Sequence, residues 1–140
     1  MTKPALVSLI AIAAALAAVA PALADDAADA KAAADPIMKQ LEAFRQDDYD
    51  TAYGFASAEI QQLFDRASFE RMVKGGYPEI ANSTFALIAR SEPTPDGHVH
   101  VRVRIRGANG NSVEAVYDMV REPGGWRING VVTKPDPGLV

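Results

Sequence analysis

The stretch from His98 to Arg106 constrains the fold more than any other part of the chain. Its sequence, HVHVRVRIR, alternates without a break between aliphatic side chains and basic or potentially basic ones. Because successive side chains of a strand point to opposite faces, this period of two predicts a β-strand. One face of the strand is dry and the other is wet, so the rest of the chain has to cover the dry face.

Similar alternation predicts three more strands, one from Ser83 and two that begin near Ser112 and Trp126. Turn residues at 96–97, 107–110 and 122–125 separate the strands, which therefore form a four-stranded antiparallel meander. The residues expected on the dry face of this sheet are Phe85, Leu87, Val99, Val101, Val103, Ile105, Ala115, Tyr117, Met119, Trp126 and Ile128.

The loop after the opening strand sets the register of the sheet. A two-residue loop would place every arginine opposite an apolar residue, whereas a three-residue loop with a left-handed Gly110 satisfies both faces. The pairs expected from the second choice are Ile105–Val113, Val103–Ala115, Val101–Tyr117, Val99–Met119, Arg104–Glu114 and His100–Asp118. By the same alternation, Met119 should pair with Ile128, Tyr117 with Gly130, and Leu87 with Val101.

Residues 35–76 show the spacing of short amphipathic helices. Asp35 and Pro36 are typical of a helix start, Asp48, Ser57 and Asp65 are further N-cap candidates, and Gly75-Gly76 is a stop. The side chains expected to face inward are Ile37, Leu41, Phe44, Tyr49, Ala52, Tyr53, Ala56, Ile60, Leu63, Phe64, Phe69, Met72 and Val73. The predicted fold class is α+β, with N-terminal helices packed on one face of the sheet, and the aromatics are interpreted as core.

The N-terminus predicts export. Lys3, an apolar run over 5–20 and the Ala22-Leu23-Ala24 site indicate a cleaved secretory signal peptide over residues 1–24. The alternative, an uncleaved membrane anchor, is disfavoured because spanning needs about 20 apolar residues. Residues 25–34 are expected to be a disordered or frayed spacer, 35–134 the single domain and 135–140 a tail. We expect a periplasmic or extracellular protein with no stable membrane anchor.

Composition excludes several classes of function. The chain has no cysteine, which rules out disulfides, thiolate metal sites and cysteine nucleophiles. Its formal net charge of −4 argues against general nucleic-acid binding. No phosphate-binding loop or triad pattern is visible, and no cofactor is predicted.

The helical half resembles an uncharacterised bacterial family catalogued as domain of unknown function 4864. The matching residues are Gln40-Leu41, Ala43-Phe44, Asp48, Ala52, Phe55-Ala56-Ser57, Ile60-Gln61, Phe64, Phe69, Met72-Val73 and Gly76-Tyr77-Pro78. Ala58 departs from the proline expected after Ser57, which puts the start of the third helix in question. The resemblance implies an exported protein with a fold similar to nuclear-transport-factor-2-like and cystatin-like folds, and it brings no catalytic residues.

The wet face of the sheet supplies the first candidate site. Arg102, Arg104 and Arg106, with Arg127 from the last strand, could bind a carboxylate or a phosphate, because guanidinium groups bind both in bidentate fashion. The alternative is solubility and pairing, which we favour for Arg104 because Glu114 is its expected neighbour. Arg102 and Arg106 lack an obvious acidic partner. Val116, Val120 and Val131 are expected on the same face, which could also form a homodimer surface.

His98, His100 and Asp118 are a weak metal candidate. Two histidines two residues apart on a strand share a face, and a carboxylate across from them could complete a site. Only two histidines exist in the chain, and zinc needs at least three protein ligands. An ordinary wet face with a His–Asp contact is the preferred interpretation, and no metal is predicted.

The third candidate is a pocket between helices and sheet, as in small isomerases and dehydratases of the similar fold. Such an enzyme needs an inward acid or base, and no Asp, Glu or His is expected on the dry face. Only Tyr49, Tyr53, Tyr117 and Arg121 could offer polar tips there. We therefore expect a non-catalytic module that binds a small molecule or a protein through the arginine-rich face of the sheet, and the pocket enzyme and the weak metal binder remain the alternatives.

Overall fold

The computed structural model describes residues 27–139. Helices come first and strands last, as predicted for an α+β fold. The elements are α1 (27–45), α2 (Tyr49–Gly54), α3 (Ala58–Leu63), α4 (Arg66–Gly76), α5 (Pro78–Ala81), β1 (Ser83–Pro93), β2 (Val99–Gly107), β3 (Ser112–Glu122) and β4 (Gly125–Pro135). The predicted signal peptide, residues 1–24, lies outside the described residues.

Helix α1 begins earlier than predicted. Residues 27–34 are helical, so the expectation of a frayed spacer over 25–34 is wrong for the part that is described. Asp35 and Pro36 lie inside the helix and do not start it. The physical reason is that alanine is the strongest helix former and that Ala33 extends the apolar stripe of Ile37 by one turn. Ala33 is fully buried, which anchors the added turn in the core.

Side-chain caps start the next three helices where predicted. The carboxylate of Asp48 accepts from the Thr51 amide and that of Asp65 from the Ser68 amide, while the Ser57 hydroxyl accepts from the Ile60 amide. These bonds satisfy amides that have no partner within a first helical turn. The inward placement of Leu63 is wrong. Its side chain is 69% exposed, because α3 is only six residues long and contributes no buried residue.

The four strands form an antiparallel sheet in the order β1-β2-β3-β4. The β2–β3 register is the predicted one, from Val99 opposite Met119 to Ile105 opposite Val113. Gly110 has a φ of 83°, which confirms the left-handed position in the three-residue loop. The inner face of the sheet, which carries Val101 and Val103, is buried against the helices. The outer face carries the histidines and arginines of 98–106.

A bulge in β4 changes its later register. Met119 pairs with Ile128 as predicted, but Asp118 then pairs with Gly130, so Asn129 is an extra residue. Tyr117 consequently lies opposite Val131, and the predicted Tyr117–Gly130 pair is wrong. The side chain of Val131 packs against the core, so its predicted place on the wet face is also wrong. Alternation alone gives no sign of a bulge, which adds one residue to one strand.

The predicted inward face of β1 is wrong. Phe85 and Leu87 are 44% and 48% exposed, while Ala86 and Ile88 pack against the core. Leu87 pairs with Arg104 and not with Val101. The run of apolar residues over 85–89 gives both faces similar hydrophobicity, so its own period does not choose one. Pairing with the strongly two-faced β2 and bulges at both ends of the run decide the orientation.

The C-terminal stretch is attached to the sheet. β4 runs to Pro135, one residue into the predicted tail of 135–140. The backbone amide of Asp136 then donates to the Ser112 carbonyl, and its carboxylate accepts from Arg104. The stretch predicted as a tail is therefore bonded to the sheet, because an acidic residue just beyond the strand lies beside a cation on the outer face.

Candidate functional site

A cavity of about 230 Å³ lies between the helices and the inner face of the sheet. It occupies the position of the third candidate site, the pocket between helices and sheet. Helices α3 and α4 supply one side of its wall, and β3 and β4 supply the other. The lining residues are Gln40, Phe44, Ala56, Ile60, Phe64, Phe69, Met72, Val73, Tyr77, Ile80, Tyr117, Ile128, Gly130 and Val131.

Three wall residues carry polar side-chain atoms. The Gln40 amide donates to the Ala52 carbonyl at 3.1 Å, and the Tyr77 hydroxyl donates to the Val131 carbonyl at 3.4 Å. The hydroxyl of Tyr117 is buried and has no hydrogen-bond partner within residues 27–139. Burial raises the pKa of Tyr117 far above its ordinary value of 10, so the phenol stays neutral.

Among residues 27–139, no Asp, Glu, His, Lys or Arg side chain lines the cavity. General acid–base catalysis needs a group that exchanges a proton near neutral pH, and a phenol with a strongly raised pKa does not. The arrangement is a partly open cavity that can accommodate an apolar molecule beside the neutral side chain of Tyr117. Of the four polar tips considered from the sequence, only Tyr117 lines the cavity.

The arginines of the outer face are paired differently from the prediction. Arg102 has an acidic partner, because its Nη1 lies 2.8 Å from Oε1 of Glu114. Arg104 is bound by Asp136, with 2.8 Å between Nε and Oδ2, although Glu114 lies directly opposite its backbone. The register prediction is correct and the partner prediction is wrong. A long guanidinium side chain reaches the diagonal neighbour on the next strand, which leaves Arg104 for the C-terminal stretch.

Arg106 and Arg127 form no ion pair within residues 27–139. Arg106 lines an open cleft that also contains Glu79 and Asp136, so carboxylates already offset positive charge there. Arg127 donates to the backbone carbonyl of Trp126 at 2.9 Å. The predicted ligand or dimer contacts of these arginines stay predictions.

His98, His100 and Asp118 come together on the outer face, where His98 is hydrogen-bonded to Asp118 and His100 lies within ion-pair distance of it. Oδ1 of Asp118 lies 2.8 Å from Nδ1 of His98 and 3.5 Å from Nε2 of His100. The contact with Asp118 is the main reason that the pKa of His98 is raised, and burial opposes it. Within residues 27–139, no set of three or more His, Cys, Asp or Glu side chains has a geometry suited to a metal ion.

Asn129, the bulge residue of β4, was missed in the sequence and extends this group into the interior. Its Nδ2 donates to Oδ2 of Asp118 at 3.3 Å, and its Oδ1 accepts from the hydroxyl of Ser57 at 2.8 Å. Ser57 is only 1% exposed. The Asn129-Gly130 pair inside the strand was the available signal, since such pairs mark local breaks in strands.

The fold is similar to that of a protein of known structure. A crystal structure described as an NTF2-like protein of unknown function from Shewanella baltica OS155 aligns with a TM-score of 0.52 at 17% identity. The alignment covers 76% of this chain and 93% of that one, and it supports the expected fold. No curated protein matches the sequence. Within residues 27–139, no helix has the length and apolar character needed to cross a membrane.

The sequence itself identifies the family. Residues 12–139 match the family model described as Domain of unknown function (DUF4864). This match spans the helices and all four strands, so it covers far more of the chain than the helical residues that carry the resemblance. The chain belongs to the DUF4864 family, with a fold similar to that of NTF2-like proteins.

Proposed function

We propose that this chain is an exported protein that binds a small, neutral, mostly apolar molecule in the cavity between helices and sheet, without transforming it. The observation that carries the proposal is an apolar cavity. Among residues 27–139, its wall contains no charged side chain, and it includes the neutral phenol of Tyr117, whose hydroxyl has no partner in that range. Apolar clefts with few polar groups are the usual form of small-molecule sites. Export is supported by the signal-like features of residues 1–24.

The volume limits the size of the ligand. A cavity of about 150 Å³ holds one benzene ring in a well-studied engineered case. The present cavity, at about 230 Å³, suits a substituted aromatic ring or a short branched hydrocarbon chain. A charged ligand is disfavoured, because an ion moved into such a site loses its hydration and finds no opposite charge in the wall.

The hydroxyl of Tyr117, unpaired within residues 27–139, suggests that the ligand carries one hydrogen-bond acceptor. A buried hydroxyl without a partner costs about 1–3 kcal/mol, and a ligand oxygen that accepts a hydrogen bond from it would remove that cost. Phenyl ketones combine a suitable size with such an oxygen. Acetophenone is therefore a suitable probe, and α-methylstyrene is its matched control because a methylene group replaces the carbonyl oxygen.

Calorimetric titration with both probes tests the proposal. We expect acetophenone to bind, and α-methylstyrene to bind about 3–10-fold more weakly, which corresponds to one neutral hydrogen bond. The variant Val131→Phe places a ring in the cavity wall and should abolish binding of both. Val132→Phe is the matched control, since Val132 is 68% exposed on the outer face. Equal binding to the two variants would contradict the proposed site.

A further inference from the structure

A continuous set of hydrogen bonds connects the outer face of the sheet to helix α3. It runs from His98 to Asp118, then through the side chain of Asn129 to the Ser57 hydroxyl. That hydroxyl accepts from the Ile60 amide and so caps α3. The series begins at a partly exposed imidazole and ends at a serine that is 1% exposed. We call these four residues the His98 relay.

The inner end of the relay lies at the cavity wall. Ala56, which precedes Ser57, and Ile60, whose amide Ser57 caps, line the cavity, and so do Ile128 and Gly130, which flank Asn129. The backbone joins the same two segments, because the Ser57 amide donates to the Ile128 carbonyl at 2.8 Å. The Asn129–Ser57 hydrogen bond is therefore one of the contacts that hold the start of α3 against β4.

The charge of His98 acts on α3 by a second route. Two carboxylates lie close to this imidazole, that of Asp118 on β3 at 2.8 Å and that of Asp96 in the loop before β2 at 4.0 Å. Glu59 on α3 adds a weaker attraction over a longer distance. His100 shares the Asp118 carboxylate. Arg127, opposite Val120, is the basic residue that β4 places on this face near the relay. A charged His98 thus attracts Glu59 through space and strengthens the hydrogen bond to Asp118, since charge-assisted bonds are the stronger ones.

We propose that the protonation state of His98 controls how tightly α3 closes the cavity, so that ligand is held at lower pH and released more readily at higher pH. This inference rests on the proposed binding function. The neutral imidazole retains a weaker bond to Asp118 and loses its attraction to Glu59. Both changes loosen the segment that carries Ala56, Ile60 and Phe64 along the cavity wall.

The direction of the pH dependence follows from the acidic groups around His98. They raise its pKa above the ordinary value of 6.5, so the charged form persists to higher pH in the folded protein. Its contribution is fully present below the unfolded value and is lost as the pH rises through the folded one. Because the pair is partly exposed, its loss should weaken acetophenone binding by about two- to fivefold.

Acetophenone titrations from acid to alkaline pH test the inference, since this ketone is uncharged throughout. We expect weaker binding by the wild-type protein at high pH, and uniformly weak, pH-independent binding by His98→Gln. His100→Gln is the matched control and should keep the pH dependence. Asn129→Ala breaks the relay but leaves His98 able to titrate, so it should reduce the pH dependence to the part carried by Glu59.

Nitrogen-15 NMR without ligand supplies an independent measurement. The Asn129 side-chain amide and the Ile60 backbone amide should shift with the same midpoint as the His98 ring. Ketone binding that is strong and independent of pH would overturn the relay and leave the binding function intact. If no ketone binds at any pH, the binding function fails and ligand control by His98 fails with it.

Discussion

At the scale of single residues, Tyr117 connects the packing of the molecule to its proposed function. It lies on β3 opposite Val131, and its ring is part of both the core and the cavity wall. Almost every buried polar group in a folded protein has a hydrogen-bond partner, so an exception calls for an explanation. A ligand that supplies the missing partner is the explanation proposed above.

Replacement of Tyr117 by phenylalanine should stabilise the protein without ligand. The change removes only a hydroxyl that has no partner within residues 27–139, and the expected gain is about 1 kcal/mol in the free energy of unfolding. For a domain of this size, that gain raises the Tm by about 4 °C in a thermal melt. Tyr53→Phe should act in the opposite direction, because the Tyr53 hydroxyl donates to the Phe64 carbonyl at 2.7 Å. A lower Tm for Tyr117→Phe would show that its hydroxyl is satisfied.

For the arginines of the outer face, the sequence predicts the strand register but not the ion-pair partners. Register follows from loop length and from matching the faces, so the position of Glu114 opposite Arg104 could be predicted. The ion pairs could not, because Arg104 binds Asp136, which follows the last strand. A flexible side chain chooses among several carboxylates within reach, and the path of the C-terminal stretch decides which ones are available.

At the scale of elements, α1 contains a proline that a helix interior normally disfavours. Pro36 has helical residues on both sides, and the buried Ala33 and Ile37 lie one turn before it and directly after it. A proline has no amide to donate to the preceding turn, and its ring crowds the carbonyl four residues earlier. Burial of the apolar stripe on both sides of Pro36 keeps the helix continuous.

Pro36→Ala should therefore stabilise α1. An interior proline costs about 3 kcal/mol relative to alanine, and the greater freedom of the unfolded chain returns about 1 kcal/mol of that. We expect a net gain of about 2 kcal/mol in urea unfolding, with an unchanged slope. Lys39→Ala, at an exposed position of the same helix, is the control and should change stability little. A loss of stability in Pro36→Ala would mean that the proline favours this helix.

The C-terminal stretch should detach from the sheet in acid. Its carboxylate, Asp136, accepts from Arg104, which holds the pKa of that carboxyl below its ordinary value of 3.8. The contribution to stability is therefore present above that value and is lost as the pH falls through the folded pKa. Asp136→Asn should lower the Tm by a few degrees at neutral pH, and the difference from wild type should vanish in strong acid. Glu92→Gln, which removes an exposed carboxylate from the outer face, should leave the Tm nearly unchanged.

At the scale of the whole molecule, the sequence carried most of the architecture. The α+β class, the meander, the β2–β3 register and three helix caps all follow from period and spacing. The inward face of β1 and the end of β4 did not follow, because bulges shift the register by one residue and leave little trace in the pattern. The cavity is a property of packing, which depends on how well side chains fill the space between layers.

The outer face combines arginines with the exposed apolar side chains of Phe85, Leu87 and Val132. Arginine and apolar residues are enriched in interfaces and lysine is depleted, so this composition fits the predicted homodimer. Sedimentation velocity should show association that grows with concentration, and Val132→Lys should abolish it. Leu63→Lys is the matched control, because Leu63 is equally exposed but lies on α3. Unchanged association in Val132→Lys would remove the outer face as the dimer surface.

The bulge at Asn129 has a consequence for the tolerance of the chain to changes in length. Ile128 faces inward, Gly130 outward and Val131 inward again. Without Asn129, these residues would alternate between the two faces as in a regular strand. A chain that lacks residue 129 could keep the same contacts along both faces of the sheet. A one-residue deletion in a strand usually moves every later side chain to the opposite face of the sheet. Deletion of residue 129 should instead keep the core unchanged and remove only the hydrogen-bonded link between Asp118 and Ser57.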